Sequence, residues 1–166
     1  MEWGRSTDGR QAPDDVPVGE PGDAQEPQQE RAGRGRVLVC EDTEQIRRLI
    51  RVNLELEGYE VAEAEDAPAA LEILHDVSLR LPDVITVDVV MPQRDGWWFV
   101  STIRADPRLA DIPVVMVTAS AQFEDRAHAD RAAVDGFVAK PFDPEELLAT
   151  IEALIAGHRD EPGTRG

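Results

Sequence analysis

Apolar residues along the middle of the chain alternate between two spacings. Compact β-rich runs fall at Arg36–Glu41, Tyr59–Ala64, Asp83–Asp88, Ile112–Thr118 and Gly136–Lys140, with the length of β-strands. Between them, apolar side chains return every three or four positions. That spacing predicts helices over Thr43–Glu57, Ala67–Val77, Trp97–Arg104 and Pro144–Ala156, with a more polar one from about Phe123 to Ala133. Several borders carry their own chemistry. Gly58 offers a left-handed stop after the first helix, and Asp66 can cap the second. Asp143-Pro144-Glu145-Glu146 gives the last helix a cap, a first-turn proline and acids at its positive end.

Strict strand–helix alternation in a chain this short predicts an α/β fold: a doubly wound parallel sheet with right-handed connections and helices on both faces. A flavodoxin-like (βα)5 arrangement with strand order 2-1-3-4-5 is the expectation. Residues 36–156 carry the pattern and form one expected domain. Residues 1–35 are rich in Gly, Pro, Gln, Asp and Glu, with Trp3, Val16 and Val18 almost the only sizeable apolar side chains after the start. So little apolar surface does not repay ordering, which predicts a disordered N-terminal tail. Residues 157–166 are expected to be a short flexible C-terminal tail.

Sheets of this kind bind ligands beyond the carboxyl ends of their strands, where strand order reverses, here between the first and third. The polar residues sort accordingly. Glu41-Asp42, Asp88, Thr118 and Lys140 each follow an apolar run directly, while the end of the second strand, Glu63-Ala64-Glu65, falls to the outer side and is left out. Three gathered carboxylates, Glu41, Asp42 and Asp88, repel one another unless a hard cation or a proton sits among them. Mg²⁺ is the natural choice, with direct carboxylates, a backbone carbonyl and retained water. Lys140 is the only lysine, against sixteen arginines. Its compact ammonium on a flexible stem suits a small anionic target better than the broad fork of arginine.

A formal charge of −17 argues against direct capture of nucleic acid or an anionic membrane, which are bound through basic faces. No apolar stretch has the length of a membrane span, and residues 1–35 lack the order of a secretory signal, so a cytoplasmic protein is expected. Cys40, the single cysteine, lies inside Val37-Leu38-Val39-Cys40 and reads as a small buried hydrophobe. His75, His128 and His158 lack metal-ligand spacing and are assigned no chemistry.

Four segments, in order, resemble the receiver domain of two-component response regulators: Val37-Leu38-Val39-Cys40-Glu41-Asp42, Asp88-Val89-Val90-Met91-Pro92-Gln93-Arg94-Asp95-Gly96, Asp111-Ile112-Pro113-Val114-Val115-Met116-Val117-Thr118-Ala119 and Asp135-Gly136-Phe137-Val138-Ala139-Lys140-Pro141-Phe142. The resemblance spans Arg36 to Ala156. It implies that Asp88 accepts a phosphoryl group from a histidine kinase or phosphotransfer protein. It further implies Mg²⁺ held by Asp42, Asp88 and the Val90 carbonyl, with Glu41 acting through water. Lys140, the Thr118 hydroxyl and backbone N–H groups near Val89 and Ala119 would receive the phosphoryl oxygens, and the bond before Pro141 would be cis. Output would pass from Thr118 to Phe137 and on to the face of the predicted fourth helix, fifth strand and last helix, reaching a separate protein effector.

Some positions depart from the family pattern. Phe137 lacks the hydroxyl that a tyrosine would bring to the switch, and Ala133 stands where many receivers have glycine. Val90 and Ser120 occupy positions that tune loss of the phosphoryl group, and an apolar Val90 aligns no water, which predicts a long-lived phosphorylated state. Trp98 falls where a polar residue is usual, as an exposed contact or as a side chain half-covered by the preceding loop. Only a short polar tail follows the last helix, so a stand-alone receiver is expected. Two rivals remain: a pseudo-receiver scaffold that is never phosphorylated, and a haloacid-dehalogenase-type phosphatase, which needs an aspartate where this chain has Val90.

Overall fold

The computed structural model describes residues 33–119 and 134–160 of the chain. Their elements run β1 (Arg36–Cys40), α1 (Glu44–Leu56), β2 (Glu60–Ala64), α2 (Ala67–His75), β3 (Val84–Asp88), α3 (Gly96–Arg104), β4 (Val114–Thr118), β5 (Gly136–Ala139) and α4 (Pro144–Asp160). The predicted helix at Phe123–Ala133, Ser120 and His128 within that stretch, and residues 1–32 lie outside the described residues.

The five strands form one parallel sheet in the order β2-β1-β3-β4-β5, so strand order reverses between β1 and β3 as expected. The three central strands are buried along their whole length, which is why they read as mainly apolar runs. Alternate side chains feed two cores. Leu38, Cys40, Ile85, Val87, Val114 and Met116 pack with Leu74 of α2 and with Phe99 and Ile103 of α3. Val37, Val39, Val84, Val115, Val117 and Val138 pack with Ile50 and Leu54 of α1 and with Leu147 and Ile151 of α4.

Element ends follow local chemistry. After α1, Gly58 adopts φ 96°, its N–H donates to Glu55 O, and the Tyr59 N–H donates to Leu54 O. That double closure buries Tyr59 beside Leu54 and turns the chain into β2. Asp66 caps α2 by accepting from the Ala69 N–H at 2.8 Å, and Asp95 caps α3 by accepting from the Trp98 N–H at 2.8 Å.

Three ends differ from expectation. α2 stops at His75 rather than Val77 because the Asp76 carboxylate accepts from both the N–H and the hydroxyl of Ser78, a local turn that competes with the helix. α4 continues to Asp160, four residues into the expected C-terminal tail. Gly157 costs the helix only about 1 kcal/mol, and no proline intervenes before Pro162. At the other end, Gly33–Gly35 of the expected N-terminal tail form an anchored turn. Arg34 pairs with Glu57 at 3.7 Å, and Gly35, at φ 136°, accepts from the Glu60 N–H.

Candidate functional site

The register aligns the carboxyl ends of the central strands, with Cys40 opposite Val87, Asp88 opposite Val117 and Thr118 opposite Ala139. Residues at and just beyond those ends therefore meet at one sheet edge. Side-chain alternation then sorts them by face. Glu41, Asp88 and Lys140 fall on the face of Val39, Val117 and Val138, whereas Thr118 and Phe137 fall on the face of Met116.

Glu41 is 1% exposed, and every oxygen it carries has a donor. Its main-chain carbonyl accepts from Arg47 Nη1 at 2.9 Å, Oε1 from the Thr43 N–H at 3.2 Å, and Oε2 from Lys140 Nζ at 2.9 Å. Asp88, also buried, accepts from the Val90 N–H through Oδ1 at 3.2 Å and from Lys140 Nζ through Oδ2 at 2.8 Å. Asp42 is exposed beside them. Carboxylate oxygens of Glu41, Asp42 and Asp88 lie within 4.8 Å of one another, two buried and one open to solvent. Such a set of hard oxygens, partly reachable from water, fits a divalent cation of the Mg²⁺ kind.

Burial and neighbouring charge together shift the acidities of these groups. Burial, reinforced by the neighbouring Asp88, raises the Glu41 carboxyl above its ordinary range even though Lys140 pulls the other way. For Lys140, burial works against the charge, but hydrogen bonds to Asp88 and Glu41 outweigh it and hold the ammonium above its ordinary value. Burial, with the nearby acids behind it, pushes the Cys40 thiol up to about 12. Its sulfur faces Met91 Sδ and the Asp66 carbonyl, so it acts as a buried hydrophobe.

Backbone geometry fixes the rest. The Lys140 N–H donates to Thr118 O at 2.7 Å, and the Lys140–Pro141 peptide bond is cis. Thr118 is buried at the end of β4, and Ala119 is the exposed residue after it. Val89 is half-buried, and Val90 is 71% exposed. Phe137 is half-buried against the core under α2 and α3, on the same sheet face as Thr118. Trp98 is half-buried against that core as well, with the Arg94 guanidinium 4.9 Å from its ring centroid, which is the covered of the two readings its sequence leaves open.

Several supporting residues escaped sequence reading. Gly96 is one: a Cβ there would lie 2.3 Å from the Asp88 carbonyl oxygen, and its own N–H donates to Val89 O at 2.8 Å. This close approach folds the loop after β3 back beneath Asp88. Arg47 and Arg51 reach Glu63, which keeps that acid occupied on the outer side of the sheet. Arg104 pairs with the half-buried Asp135 at 3.1 Å and donates to the carbonyls of Ala110 and Ile112. That pair locks the start of β4 to the approach to β5, because Asp135 also accepts from the Val114 N–H.

Residues 37–152 match the family described as the response regulator receiver domain. The chain belongs to that family. Similar proteins include the DNA-binding dual master transcriptional regulator RpaA of Synechocystis, 38% identical over 72% of this chain and 48% of the relative. The phosphate regulon transcriptional regulatory protein PhoB of Escherichia coli is 37% identical over 72% of this chain and 51% of its own length. This receiver thus spans about half the length of the curated relatives it matches. Among solved structures, the Vibrio cholerae chemotaxis protein CheY4 aligns with a TM-score of 0.68 at 32% identity, over 74% of this chain and 99% of that one. Receiver domains are signalling modules of two-component systems. Among the described residues, no helix is long and apolar enough to cross a membrane.

Proposed function

We propose that this receiver is a phosphoacceptor whose nucleophile is Asp88. A histidine kinase or phosphotransfer protein presents a phosphohistidine; an Asp88 oxygen bonds to phosphorus as the phosphorus–nitrogen bond breaks, and the imidazole leaves with that electron pair. The observation that carries the reading is the contact of Lys140 Nζ with Asp88 Oδ2 at 2.8 Å, beside two further carboxylates. One reactive oxygen thus has a cation at hand and a metal-competent cluster next to it.

Asp42, Asp88 and the Val90 carbonyl would hold Mg²⁺, with Glu41 acting through water. The bound ion would neutralise charge on the phosphoryl oxygens. Lys140 holds a second oxygen, and the Thr118 hydroxyl with the N–H groups of Val89 and Ala119 receives what remains. The chain promotes its own phosphorylation and dephosphorylation without turning over external substrates. Thr118 then shifts toward the new charge, and Phe137, on the same sheet face, turns inward to alter a protein-binding surface that includes β5 and α4. A cytoplasmic setting and a protein effector suit this role. Direct DNA binding is named for the longer relative RpaA and is not proposed for this acidic domain.

The test is intact-mass measurement after incubation with Mg²⁺ and acetyl phosphate, for wild type and Asp88→Asn. One phosphoryl increment in wild type alone is expected, absent when the metal is chelated. No adduct in either protein would favour the scaffold reading. Turnover of unrelated phosphoesters would favour the phosphatase.

A further inference from the structure

Helix α1 turns an apolar stripe toward solvent. Leu49, Val52 and Leu56 are 46%, 39% and 69% exposed. Spaced at i, i+3 and i+7, they share one face, nearly opposite the face that buries Ile50 and Leu54. Exposed Arg48 borders the stripe, with Arg51 beyond it. Arg51 is paired with Glu63 at 2.8 Å and Glu55 at 4.0 Å, so this face sets a run of large aliphatics beside Arg48, an unusual patch on a chain with a net charge of −17. It calls for an occupant that is apolar and acidic.

The sequence upstream of the described residues offers such a segment. The described chain begins beside the end of α1, where Arg34 pairs with Glu57, the residue after Leu56. Upstream lies Asp14-Asp15-Val16-Pro17-Val18-Gly19-Glu20, two valines bracketed by acids within a stretch of acidic excess. We propose that Asp14–Glu20 docks on α1 of its own chain, with Val16 and Val18 over Val52 and Leu56 and the acids toward Arg48. Drawn out at about 3.3–3.6 Å per residue, the link from Val18 to Arg34 far exceeds the roughly 20 Å length of α1. An extended Val-Pro-Val sets its valines about 6–7 Å apart, close to the rise of about 6 Å from Val52 to Leu56. The segment is too sparse in apolar residues to fold alone, but here it needs only a ready surface. Tethering supplies it at millimolar effective concentration, enough to populate a contact too weak to form between separate molecules. Any partner that uses this face of α1 must displace it.

A nitroxide on Gly19→Cys of the full chain tests this by paramagnetic broadening of backbone amide signals. Cys40 is 1% exposed and takes no label, so the tag is specific. Strong broadening along the outer face of α1, with none on α2, is expected, and Val52→Asp with Leu56→Asp removes it. Should those changes unfold the chain, Val16→Asp with Val18→Asp removes it equally. Equal broadening of α1 and α2, none at all, or broadening indifferent to the substitutions overturns the proposal. So does broadening of isotope-labelled, untagged chains mixed with tagged ones, which would make a second copy the occupant.

Discussion

Lys140 Nζ bridges Asp88 Oδ2 at 2.8 Å and Glu41 Oε2 at 2.9 Å, so one ammonium ties the ends of β1 and β3 from the end of β5. Burial makes the Glu41 carboxylate costly as an anion, and this cation is what offsets it. Lys140→Ala is therefore expected to destabilise the fold by about 2–4 kcal/mol, somewhat under the cost of breaking a fully buried pair. Urea denaturation with and without Mg²⁺ checks this. The loss should shrink when the metal is present, since a second cation then serves the same acids. Lys140→Arg should not restore the wild-type value, because the planar fork does not fit between two acids spaced for a point charge.

Gly96→Ala has opposite expected signs depending on what matters at that position. Helix propensity alone would make it stabilising by about 1 kcal/mol. The Asp88 carbonyl oxygen 2.3 Å from the new Cβ demands that backbone move, and neither group is the free end of a side chain. A net destabilisation of about 2 kcal/mol or more is expected, together with weaker Mg²⁺ binding by titration calorimetry, because the displaced backbone carries Asp88. A neutral or stabilising result would mean that the loop after β3 yields freely.

Much of this was legible in the chain because strand, helix and breaker residues agree locally with the fold they build. The apolar runs gave the parallel sheet, and the acids at their ends marked the edge where Glu41, Asp42 and Asp88 gather. What could not be read was side-chain reach and close approach. Nothing in the pattern shows that Arg104 reaches Asp135 across 31 residues of sequence, or that Gly96 is needed for space rather than for a turn. The end of α2 was missed for another reason, since the Asp76–Ser78 turn competes with helix through side-chain hydrogen bonds that apolar periodicity does not register.

Thr86 sits in the centre of β3, 1% exposed, and its hydroxyl has no hydrogen-bond partner among the described residues. A buried unsatisfied donor costs on the order of 1–3 kcal/mol, and valine keeps nearly the same shape without it. Thr86→Val is expected to raise stability by about 1 kcal/mol in denaturant titration. Phosphoryl adduct formation at Asp88 should be unchanged, since Thr86 contributes nothing to the carboxylate cluster. A loss of stability would show that the hydroxyl is satisfied by a buried water.

Tyr59 is the only tyrosine, so its tyrosinate absorbance reports one group. It is buried between α1 and α4, and burial, reinforced by Glu152, holds the phenol above the ordinary tyrosine value despite Arg34. A raised value means that the folded state favours the protonated phenol. Its contribution to stability is then complete below the ordinary tyrosine pKa and is lost as pH climbs through the raised one. Spectrophotometric titration of the native protein should give a midpoint above that of the urea-unfolded chain, and Tyr59→Phe should flatten the alkaline fall in stability. Coincident midpoints would mean that the phenol is solvated and that the turn after α1 opens more readily than its two backbone hydrogen bonds require.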